Sequence, residues 1–185
     1  MKRAGMAALA LAVAAGCNPV GGGTVAARWV TAGDTAVITM PATAAWCVRE
    51  RRLDLRASVG DTGLGLALFP PDSILVPGEY PVMVPGGMVR VRPTARVALR
   101  WMSKVIIQGW WGDSGAVRIT EASPRALSGS GVGWLVSGLG PDSVTTLDFE
   151  IRGVRVRTDT LCDLQPTPVE EAADSAGQPG GAGVD

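Results

Sequence analysis

Between Val25 and Cys162, apolar and polar residues alternate with a period of two in one short segment after another. Leu53, Leu55 and Ala57 fall on one face of an extended segment, with Asp54 and Arg56 on the other. Leu64, Leu66 and Leu68 line one face of the next, where Gly63, Gly65 and Ala67 leave the opposite face small enough for an aromatic ring or another backbone. Val97, Leu99 and Trp101 alternate with Arg96, Ala98 and Arg100, and Val117 and Ile119 with Arg118 and Thr120. Leu147, Phe149 and Ile151 alternate with Asp148, Glu150 and Arg152. Successive side chains of a strand point to opposite faces, so each segment predicts a half-buried strand. Thr35 to Met40 predicts a further strand that Pro41 ends, and Val105 to Trp111 one that is almost wholly apolar. At Gly153 the apolar phase flips to Val154 and Val156, which predicts a β-bulge there. Only Thr43 to Arg51 leaves a local helix open.

Turn signals separate these segments: Gly60-Asp61, Val76-Pro77-Gly78, Val84-Pro85-Gly86-Gly87, Gly112-Asp113-Ser114-Gly115 and Gly140-Pro141-Asp142-Ser143. Gly129-x-Gly131-x-Gly133 reads as hairpin glycine rather than a phosphate loop, because phosphate loops open a helix and these flanks are strand-like. About ten short strands without a long helical period predict an all-β fold, an antiparallel β-sandwich (Ig-like or barrel-like) over residues 25–164 with little or no helix. Residues 165–185 are rich in Pro, Gly, Ala and acid without periodicity and read as a disordered tail.

The N-terminus changes the picture. Lys2 and Arg3 precede an apolar run from Ala4 to Ala15 that is shorter than the ~20 residues a bilayer span needs. Val13-Ala14-Ala15-Gly16-Cys17 resembles the lipobox of bacterial lipoproteins, with Ala14 where that family favours Leu. The resemblance implies a signal peptide over residues 1–16, cleavage before Cys17, and acylation of the Cys17 thiol and amine. Two or three acyl chains anchor a protein stably to a membrane. Residues 17–24 then form a flexible tether. The expected address is the cell envelope, lipid-anchored at the outer membrane or facing the periplasm.

Composition narrows the chemistry. The chain has no histidine, which removes Ser-His-Asp triads, Cys-His pairs and histidine metal sites. Gly112-Asp113-Ser114-Gly115 resembles the nucleophile motif of chymotrypsin-like serine proteases, but without a histidine base the likeness stops at those four residues. Lys2 and Arg3 leave with the signal, so the remainder is acidic by about two charges and has no field that would recruit nucleic acid. With Cys17 acylated, Cys47 and Cys162 remain as an even pair in an oxidising compartment, the expected disulfide. No metal or other cofactor is expected.

From Trp46 to Cys162 the layout is similar to small β-sandwich domains of uncharacterised bacterial lipoproteins. It runs from Trp46-Cys47 through Pro77-Gly78-Glu79-Tyr80 and the Ser114-to-Thr120 strand to a Gly-rich hairpin and a closing cysteine. That group brings no activity with it. The candidate contact residues are Trp110 and Trp111. As strand neighbours they point to opposite faces: either each is buried in its own layer, or one is core and the other a stacking platform for an envelope polysaccharide or a protein partner. The stripe Arg90, Arg92, Arg96 and Arg100 reads as a solvated face paired across strands with Asp54, Asp148 or Glu150. The sequence thus predicts a lipid-anchored envelope protein with a binding or structural module. The alternative is a carboxylate-dependent enzyme, such as a glycan hydrolase, which needs two acids flanking a cleft.

Overall fold

The computed structural model describes residues 22–31, 34–72, 74–84, 92–103, 106–137, 140–159 and Cys162. The signal segment 1–16, Cys17, Arg90 and the tail 165–185 lie outside the described residues. Ten strands follow in order: β1 (Thr24–Thr31), β2 (Asp34–Cys47), β3 (Arg52–Val59), β4 (Thr62–Phe69), β5 (Gly78–Pro81), β6 (Thr94–Ser103), β7 (Ile106–Ala122), β8 (Leu127–Ser137), β9 (Gly140–Val154) and β10 (Val156–Asp159).

Eight of them close on themselves in an antiparallel barrel, in the order β1-β9-β8-β7-β6-β4-β3-β2 and back to β1. Closure comes from β1, which pairs on one side with β2 from Thr24↔Pro41 to Thr31↔Asp34, and on the other with β9 from Thr24↔Arg152 to Val30↔Thr146. One closed sheet, the barrel-like form of the expected all-β fold, therefore stands in place of two separate layers. β5 continues the wall where β6 ends, pairing with the second half of β7, and β10 lies parallel to the end of β2.

The interior is packed with side chains. Trp29, Met40, Leu53, Leu55, Leu64, Leu68, Leu99, Ile119, Leu127, Leu135 and Leu147 are all fully buried. Trp29 meets Trp101 edge to face at 5.8 Å. The one buried polar side chain among the described residues, Thr145, donates its hydroxyl to the Val30 carbonyl. Charged residues such as Arg28, Arg56, Asp148, Glu150 and Arg152 point outward. That alternation is the reverse of a bilayer-spanning barrel, whose outward positions carry the apolar band.

Five local expectations need correction. Gly140 to Ser143, expected as a turn, opens β9, whose ladder with β8 begins at Ser137↔Gly140 and shifts register before Val136↔Val144. β2 runs through Pro41 to Cys47, because Ala42 N–H donates to Gly23 O at 2.9 Å. Successive donors alternate edges, so the N–H that Pro41 lacks would face the other edge, where pairing with β3 begins only at Ala42. No helix forms over Thr43–Arg51; the strand ends at Cys47 and turns. Gly112 to Gly115 is a bulge inside β7 rather than a turn, with the β8 register shifting between Gly112 and Ser114. The run Gly129, Gly131 and Gly133 lies inside β8 on its inward face, where a Cβ on Gly131 would stand 2.3 Å from Phe149 Cζ. Glycine there makes room for the ring, as small residues do opposite large ones in tapered barrels. Gly153 has φ 57°, and the β8–β9 register shifts beside it, so Ile151 and Val154 both reach the core.

Candidate binding site

Trp110 and Trp111 part as strand neighbours must. Trp110 is 3% exposed, inside the barrel, and is the register partner of Leu99. Trp111 is 43% exposed on the outer wall. Its ring lies against its own strand over Gly109, where a Cβ would sit 3.6 Å from the indole Cη2. Trp111 belongs to one outward row that crosses six strands through the pairs Arg56↔Gly65, Gly65↔Ala98, Ala98↔Trp111, Trp111↔Val136 and Val136↔Val144.

On the β6 side of Trp111 the wall sinks into two adjoining hollows of about 390 and 580 Å³, which share Arg56, Gly65, Ala98 and Trp111. The floor is Gly63, Gly65, Ala67, Ala98 and Gly109, so backbone lies open where neighbouring positions carry long side chains. Among the described residues, Arg52, Arg56, Arg96 and Arg100 and the acid Asp54 stand around it, and Arg52 also pairs with Glu50 just outside. Asp54 is already held by Arg52, through Nε at 2.8 Å and Nη2 at 3.1 Å. At one end Phe69 is buried beneath Arg92 and Arg96, whose guanidinium carbons lie 5.9 and 5.5 Å from the ring centre. Arg92 also donates to Pro70 O and Arg51 O, and Arg100 Nε to Asp61 O at 3.2 Å.

Two of the acids expected to pair across strands with the arginine stripe, Asp54 and Glu150, are engaged by other arginines. Asp54 and Glu150 take arginines two positions along their own strands, Arg52 and Arg152. Arg92 and Arg96 lie over Phe69, and Arg92 and Arg100 donate to backbone carbonyls.

On the other side of Trp111 the row is apolar. Trp134 is 54% exposed, and Val132 and Val144 are exposed beside it. These residues escaped the sequence reading because β8 turns its glycines inward, which sends its large residues out. A third hollow, about 350 Å³, lies between β1 and β8 with Asp148 and Glu150 on its border. Glu150 accepts from Arg152 Nη2 at 2.6 Å, and that bond holds its carboxyl below the usual range. A hydrolase acid needs the opposite shift.

Cys47 and Cys162 form a disulfide with Cα atoms 5.5 Å apart. Asp54 Oδ2 lies 3.6 Å from Cys47 Sγ, but the two sulfurs are bonded to each other, so this trio is a bridge beside an ion pair and not a set of metal ligands. Tyr80 is buried, and its hydroxyl donates to Val76 O at 2.8 Å; burial raises its pKa and keeps it a donor.

Fold and surface together define a closed eight-stranded antiparallel barrel with a filled core and an outward aromatic and cationic face. No protein family model matches the chain, and neither do any of the curated proteins or solved structures with which it was compared.

Proposed function

We propose that the chain is a lipid-anchored cell-envelope protein whose barrel is a non-catalytic binding module, with the outer face around Trp111 as its contact surface. In this reading residues 1–16 direct export, Cys17 carries the lipid, and the tether holds the barrel off the membrane. The observation that supports the contact surface most is the exposure of Trp111 beside a recessed floor, while its neighbour Trp110 fills the core. A large indole left in water costs solvation that a ligand or partner recovers. The hydrolase alternative has less support, because among the described residues the carboxylate pair at the third hollow includes Glu150, whose bond from Arg152 shifts its carboxyl down rather than up.

Two experiments test this. Cys17→Ser should move the protein from the membrane fraction to the soluble fraction or stall its processing; wild-type maturation and fractionation would remove the anchor from the account. Trp111→Ala should leave the melting temperature nearly unchanged and abolish retention of the detergent-solubilised protein on envelope material. Unchanged retention would remove the contact surface.

A further inference from the structure

We propose that the hollow beside Trp111 takes an anionic polysaccharide, one sugar ring stacked on the indole and its acidic groups held by Arg56 and Arg100. The proposal rests on the reading of this face as the contact surface and adds the chemical class of the ligand.

Charge decides the sign. Among the described residues that border the two hollows, Arg52 is taken by Asp54 and by Glu50, which leaves Arg56 and Arg100 as outward cations beside the floor, a local positive field on a chain whose formal net charge is zero. Arginine presents a planar fork that fits carboxylate, sulfate and phosphate oxygens. The Nε bond from Arg100 to Asp61 O uses one of its five donors and fixes the stem.

Spacing decides the shape. Arg100 follows Ala98 by two residues on β6, on the same face of the strand. Trp111 flanks Ala98 on one side; Arg56 lies beyond Gly65 on the other, two strands or about 10 Å from β6. Arg56 and Arg100 therefore flank a small-residue floor with one flat aromatic wall. A pyranose ring fits such a site, since its C–H face is apolar and slightly positive and lies well on the negative face of an indole, while its acidic substituents project from the ring edge towards the guanidinium groups. A bilayer surface is too flat to reach a recessed floor. A nucleic acid would seek a longer basic track than one hollow.

The test is titration of the detergent-solubilised full-length protein with polygalacturonate, dextran sulfate, uncharged dextran, a poly-dT oligonucleotide and phosphatidylglycerol vesicles. The expected result is binding of polygalacturonate or dextran sulfate at least tenfold tighter than of dextran, weakening as salt rises. Arg56→Gln and Arg100→Gln should each weaken it about tenfold, and Trp111→Ala should weaken it as well, all with an unchanged melting temperature. Equal affinity for dextran, with Trp111→Ala harmful and the arginine variants silent, overturns the anionic assignment and leaves the contact face standing. So does the absence of any polysaccharide binding while Trp111→Ala still loses retention on envelope material. Anionic binding indifferent to Trp111→Ala is ionic adhesion only and overturns the site. Tighter binding of poly-dT or of the vesicles than of either anionic polysaccharide overturns the proposal in favour of that partner.

Discussion

Trp110→Ala should cost about 3 to 5 kcal/mol of folding stability. Trp110 is 3% exposed at the level of the barrel where β6 and β7 pair, opposite Leu99 and next in line to Ser137 of β8. Removing the indole leaves a cavity walled by three strands of one closed sheet. A closed barrel collapses poorly into such a gap, because no strand can shift without breaking two ladders. For a domain of this size the melting temperature should drop by roughly 10 °C or more. Calorimetry or thermal circular dichroism checks this. A drop for Trp111→Ala as large as that for Trp110→Ala would mean that both indoles are buried in the protein as it exists in solution.

The second large effect belongs to the disulfide. Cys47 and Cys162 are separated by 115 residues, so the bridge removes nearly the whole domain's loop-closure entropy from the unfolded chain. The chain-entropy model gives about 4 to 5 kcal/mol for such a loop, and removal of native bridges typically costs about 2 to 5. The bridge also fastens a short strand. β10 is four residues long and, among the described residues, pairs with β2 in a parallel ladder that ends at Asp159↔Cys47, three positions before Cys162. The Cys47→Ala/Cys162→Ala variant should therefore unfold at lower denaturant, and hydrogen exchange should rise first over β10 and the end of β2. Reductant should bring the wild type to the same midpoint. Identical denaturation of oxidised and reduced wild type would show that the bridge contributes nothing.

The strands that one buried face specifies were legible in the sequence. Leu53, Leu55 and Ala57, the leucines of β4, and Leu147, Phe149 and Ile151 all lie inward as their alternation requires, because a one-residue slip would expose the whole set. Gly153 was legible as a bulge for the same reason. Closure was not. It depends on β1 pairing with β9, more than a hundred residues away, and no local pattern carries that information. β8 misled for a different reason. Its inward positions are glycines, a composition that suits loops, and only the volume of the Phe149 ring against Gly131 explains a strand there. Pro41 and the Gly112–Gly115 segment misled because a strand that changes partners, or carries a bulge, tolerates residues that a regular ladder excludes.

The site was half legible. Trp110 and Trp111 had to diverge, but choosing between them needs the register that sets Trp110 against the inward Leu99. The small outer face of β4 was visible in Gly63, Gly65 and Ala67, and so were the arginines of β6; that register brings them together with Trp111 is a property of the sheet. Trp134, the other exposed indole, gave no signal, because its strand reverses the usual relation between size and face.

Site-specific photo-crosslinking in the cells that make the protein reads out what touches the face around Trp111. A benzoylphenylalanine placed at Trp111 samples the proposed contact face. The same probe at Val37, 73% exposed on β2 at the opposite side of the barrel, samples wall that the account leaves free. A crosslinked species should form from position 111, enter the polysaccharide-bearing fraction and be absent from position 37. Equal crosslinking at both positions, or none at 111 in protein that is folded and membrane-bound, would contradict the proposed contact face.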